Sequence, residues 1–177
     1  METFFFHPKV VHVPMALAVL MPLIAGGVLV AWRGAWLPPR AWIVPTVLQG
    51  ILVLSAMAAM QSGERDEDAV ERVVAERFIE EHEEAAEAFT WAAAGVFVLM
   101  GAALVMAAKP IGAMAAAIGV AGTIIVMVLG MRTGEAGGAL VYKYGAAEVY
   151  VGGAQAEEAV EACGPGEEHD DDDDDDD

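Results

Sequence analysis

Three histidines hold most of the chemistry this sequence offers. His7 and His12 lie in the opening run Phe6-His7-Pro8-Lys9-Val10-Val11-His12-Val13-Pro14, and His82 lies in a charged stretch far along the chain. Neutral imidazole is a nitrogen ligand for zinc, copper and haem iron. Two imidazoles from different helices, both facing inward, form an axial pair for a b-type haem. We expect His12 and His82 to be that pair, or the ligands of another metal, with His7 as a substitute or supporting partner. Gly137, Gly138 and Tyr142 are expected to close the pocket from a later segment. The chain has one cysteine, Cys163, so it has no CxxCH attachment for a c-type haem and no internal disulfide. It also lacks the HExxH spacing of a zinc hydrolase. A plainer reading stands beside this one. Histidines near helix ends also cap backbone groups or sit at headgroup level, and Tyr142 and Tyr144 suit interfacial anchoring.

Such ligands need elements to hold them, and here those elements are apolar. Hydrophobic residues make up 56% of the chain and mean hydropathy is positive, although the formal net charge is -18. These values agree only if charge and apolar sequence are segregated. Asp170–Asp177 with Glu167 and Glu168 load the tail, and residues 64–87 hold most of the other acids. A bilayer is crossed by about 20 apolar residues in a helix. Four such spans can be drawn, at about 10–32, 41–60, 88–108 and 111–131. The first is longer than a signal-peptide core and lacks a basic start, so it is expected to be retained.

The fold class is therefore an all-α membrane protein, a four-transmembrane-helix bundle formed by residues 1–150. Pro14 should kink the first helix or delay its regular start. Trp32, Trp36 and Trp42 suit a membrane interface around the Pro38-Pro39 break. Gln49 should hydrogen-bond across helices. Residues 64–87 read as a charged amphipathic helix, with Val70, Val73, Val74, Phe78, Ile79 and His82 along one line. It should run unbroken into the third span as an extramembrane extension, with Ser62 or Asp66 capping its start. Gly95, Gly101, Gly112, Gly119, Gly122 and Gly130 favour close helix packing over cofactor space. Gly134, Gly137 and Gly138 suggest turns with positive φ in a short lid. Residues 151–177 are expected to be a disordered acidic tail. Its aspartates lack EF-hand spacing, and solubilisation explains them more simply than calcium binding.

Arg33, Arg40 and Lys109 lie in the short connections without an acid among them. The positive-inside rule places that side in the cytoplasm. Both termini, His7, His12, His82 and the glycine-rich segment then share the outer side of a bacterial inner membrane.

The opening His7-Pro8, Val11-His12-Val13-Pro14 and Ala16, with Gly63, His82 and the closing Gly137-Gly138-Ala139-Leu140-Val141-Tyr142 and Gly145, resembles a bacterial family. These are the predicted membrane proteins called domain of unknown function 2231. The likeness covers residues 6–146 and implies a four-helix membrane domain without a settled activity. Some relatives are fused to, or found beside, c-type cytochrome modules, which implies electron transfer at the outer face.

The expected function is thus non-enzymatic electron transfer through haem b, to or from a c-type cytochrome or other periplasmic redox protein. The acidic surface would steer a basic partner. The alternative is a structural or accessory membrane module without a cofactor. A transporter ranks last, because Gln49 alone is strongly polar at midplane depth. The bilayer is the first partner; a homo-oligomer is compatible with the sequence, and nucleic acid is not expected.

Overall fold

The computed structural model describes residues 7–148. Within them the chain is all-helical, with four helices long and apolar enough to cross a membrane. A short α1, His7–Val10, precedes α2, His12–Arg33. Then come a 3-10 turn, Pro39–Trp42, and α3, Ile43–Val70, followed by α4, Glu76–Val105, and α5, Pro110–Tyr142. The long helices run up and down. Each packs on two neighbours in the cyclic order α2, α3, α4, α5, with α4 and α5 in the most extensive contact.

Pro14 explains the break between α1 and α2. A proline has no N–H and its ring clashes with the carbonyl four residues back, here that of Val10. The helix ends at that residue and restarts at His12. Pro39 and Pro110 open their elements, where a missing N–H costs nothing.

Small residues let the backbones approach. An added Cβ at Gly122 would lie 2.7 Å from Val96, and one at Gly130 would lie 3.1 Å from Phe89. Gly112 is closed off by the Met106 carbonyl, and Gly119 by Met100. Gly95 and Gly101 have open space and do not share this role. Met21, Trp42, Leu52 and Met100 fill the centre. Leu23, Leu54, Val98 and Val105 point outward, as lipid-facing side chains must.

Trp42 departs from the interfacial role expected of it. It is fully buried and its Nε1–H donates to the Met100 carbonyl at 3.2 Å, while Trp36 stays exposed. Gln49 is fully buried and donates from Nε2 to the Ala93 carbonyl across α3 and α4 at 3.0 Å.

Two segments differ from expectation. The acidic stretch 64–87 is not one helix. Its first part prolongs α3 to Val70, residues 71–75 turn, and its second part opens α4. Ser62 is accordingly mid-helix and donates to the Ala59 carbonyl rather than capping a start. Two antiparallel helices need a reversal between them, and the apolar line of α3 and α4 continues through it as Val74 buries against Ile79, Leu140 and Ala146. The glycine-rich stretch is not a lid of turns either: α5 stays helical through Gly134, Gly137 and Gly138, and only Gly145 takes a positive φ, 81°. Packing on α4 holds these glycines helical against their intrinsic freedom. The acidic tail falls within residues 149–177, outside the described part of the chain.

Candidate functional site

The hairpin order puts residues 7–12, 56–90 and 133–146 at one end of the bundle, and Arg33, Arg40 and Lys109 at the other. At the first end the helices splay around a cleft of about 990 Å³. That volume is at the upper end of ordinary ligand pockets. Every residue singled out above borders it: His7, His12, His82, Gly137, Gly138 and Tyr142. Their positions differ. His7 and His82 are half-buried and face each other, whereas His12 is exposed at the rim. Tyr142, the last residue of α5, is 92% exposed and edges the cleft without covering it. The ring over this end is that of Tyr144, stacked on Phe78 with centroids 3.7 Å apart.

The two inner imidazoles are 6.4 Å apart between ring centroids and nearly perpendicular, at 85°. Their hydrogen bonds differ. His7 Nδ1 lies 2.9 Å from the Ala59 carbonyl and 3.0 Å from Ser62 Oγ, while the Ser62 hydroxyl itself donates to Ala59. A carbonyl only accepts, so His7 donates from Nδ1. His82 has a backbone hydrogen bond to Thr133, yet its Nδ1 is buried with no partner. Nδ1 is thus the unpaired nitrogen of this ring. His7 thus commits Nδ1 to a backbone carbonyl, as metal-ligating histidines commonly do, while His82 keeps Nδ1 unpaired.

Glycines make room for both rings. A Cβ at Gly63 would lie 3.3 Å from His7 Cε1, and one at Gly137 would lie 3.0 Å from His82 Cε1. Gly138, beside it in α5, touches nothing within 4 Å. Gly137 is the fitted surface and Gly138 is not.

Glu76 to Glu87 form the charged lead-in of α4, so His82 lies outside the apolar run that begins at Ala88. Burial, and then the neighbouring His7, hold its pKa below the ordinary value of 6.5. The ring is neutral at pH 7, which keeps its lone pair available. Glu64, Glu67, Glu83 and Glu87 rim the cleft. Glu83 is held above its usual value by desolvation first and then by the charges of Glu67, Glu64, Glu80 and Glu71.

Among the described residues no group of three or more His, Cys, Asp or Glu side chains is placed to hold a metal ion. Zinc sites use three or four protein ligands. Two imidazoles fall short of that number.

Sequence reasoning missed the partners that orient the rings. The His7 ring is set by the Ala59 carbonyl, and the Thr133 backbone acts on His82; backbone groups have no residue-type signal. No family model, no curated protein and no solved structure matches the chain.

Proposed function

We propose that this multi-pass membrane protein binds haem b in the cleft between His7 and His82 and carries electrons at that face. The observation behind it is two imidazoles from different helices that face each other at the cleft, His7 with its Nδ1 on the Ala59 carbonyl and His82 with its Nδ1 unpaired. His7 and His82, with ring centres 6.4 Å apart, would hold the group from two helices. Haem supplies one-electron chemistry when bound. The chain's own part is to hold both rings in place, keep His82 unprotonated through burial and leave room for the rings at Gly63 and Gly137. His12 at the rim is then a surface neighbour of the group.

In this reading the Arg33, Arg40 and Lys109 end faces the cytoplasm and the cleft opens at the outer face of a bacterial inner membrane. The acidic rim steers a basic periplasmic partner such as a c-type cytochrome. Membership of the family called domain of unknown function 2231 belongs to the same proposal, on the motifs quoted above.

One observation favours a second reading, an accessory module without cofactor. His7 pins α1 to α3 through Ala59 and Ser62, a bond useful to the fold by itself.

The visible spectrum of the protein, purified in mild detergent after haem supplementation, separates the two. Haem binding gives a Soret band that His7→Ala or His82→Ala shifts or removes and His12→Ala retains. A protein that stays colourless, yet melts lower as His7→Ala, supports the accessory module and ends the haem proposal.

A further inference from the structure

A second groove, of about 640 Å³, lies on the outer face of the α4–α5 pair. Its deep end is Ala88 and Leu129, at the top of the apolar spans. One turn above Leu129 is Arg132, exposed at the boundary where the apolar sequence stops. Further out along the same walls come Glu81, Glu84 and Glu135. The water end is closed by the stacked rings of Phe78 and Tyr144.

The cations of this groove are not equivalent. Lys143 lies over the Tyr144 ring, its Nζ 5.0 Å from the centroid. Arg132 makes no hydrogen bond, ion pair or ring contact with another described residue, although three carboxylates share its groove. A guanidinium at headgroup depth, with apolar surface below it and acids above it, matches a particular sequence of ligand groups: acyl chain, then phosphate, then ammonium.

We infer that this groove binds a zwitterionic phospholipid with a primary amine headgroup, a phosphatidylethanolamine. Its acyl chain lies along Ala88 and Leu129, its phosphate meets Arg132, and its ammonium donates to Glu84 and Glu135. Arginine binds phosphate through a planar fork of N–H donors. The primary ammonium has three N–H donors for the carboxylates. A trimethylated choline headgroup has none, and an anionic glycerol headgroup leaves the acids without a cation. The inference depends on the membrane setting and not on the haem.

Native mass spectrometry of the full chain, released from micelles with equimolar phosphatidylethanolamine, phosphatidylcholine and phosphatidylglycerol, tests it. One phosphatidylethanolamine should be retained in preference to the other two. Arg132→Gln should reduce that retention by about tenfold, the equivalent of one charge-assisted contact. Glu84→Gln with Glu135→Gln should abolish the preference for the amine lipid while leaving lipid binding through Arg132. Circular dichroism shows whether each variant is folded, and Arg72→Gln, exposed in the 71–75 turn and outside the groove, serves as a charge-matched control that leaves retention unchanged. Equal retention of all three lipids, preference for phosphatidylglycerol, or an Arg132→Gln protein that is folded and keeps its amine lipid overturns the proposal.

Discussion

Gly137→Ala tests the fit between α5 and His82 most directly. The new Cβ would lie 3.0 Å from Cε1, 3.4 Å from Nδ1 and 3.6 Å from Nε2 of the ring. Carbon atoms rest at about 3.5–4.0 Å, so the ring must retreat by roughly 0.5 Å. It cannot do so freely, because Thr133 holds it on α5 and the His7 ring stands 6.4 Å away. Overpacking of this kind costs about 1–3 kcal/mol. Alanine also restores about 1 kcal/mol of helix propensity. The net change is between roughly zero and 2 kcal/mol of destabilisation. Gly138→Ala, in the same helix with open space around it, gains the propensity alone. The difference between the two variants is therefore the steric term, and at roughly 2–4 °C per kcal/mol it is readable by thermal unfolding in detergent. The cycle closes with His82→Ala: in that background Gly137→Ala should stabilise as Gly138→Ala does. Equal melting shifts for Gly137→Ala and Gly138→Ala in the wild-type background would refute the packing argument.

Other outcomes follow from the same coordinates. Because His82 is held below 6.5, the unfolded chain takes up its proton first as pH falls. Its contribution to stability rises with pH between the lowered value and 6.5 and is level above that. Glu83 is raised, so its contribution has the opposite sign and is lost as pH climbs through its folded value. The histidine slope is therefore read as wild type minus His82→Gln, by melting temperature from pH 4 to 8 in about half-unit steps; a flat difference contradicts the burial of His82. Gln49 satisfies Nε2 on Ala93 but leaves Oε1 buried without a partner. An unsatisfied buried acceptor costs about 1–3 kcal/mol, so Gln49→Leu should melt at or above wild type. A loss above about 1 kcal/mol would point to a polar partner for Oε1.

The sequence by itself determined the spans, because about 20 apolar residues can satisfy their backbone in lipid only as a helix. It also determined which ends share a side, since short links between antiparallel helices leave no choice. That was enough to bring His7, His12, His82, Gly137, Gly138 and Tyr142 to one cleft. It did not determine which histidine meets His82. His7 and His12 are separated by the break that Pro14 imposes, and the bonds of His7 to Ala59 and Ser62 of α3 hold that ring at the cleft while His12, opening α2, stays exposed. Nor could composition show that residues 133–142 stay helical, because glycine tolerates both helix and turn and only packing against α4 decides. The acidic run had the periodicity of one helix, but reversal of the chain at residues 71–75 is set by where α3 and α4 must each meet the bundle. Local patterns of apolarity decided the elements. Ring orientation, tautomer and the fit at Gly137 depend on contacts between residues far apart in the chain, and only the tertiary structure fixes those.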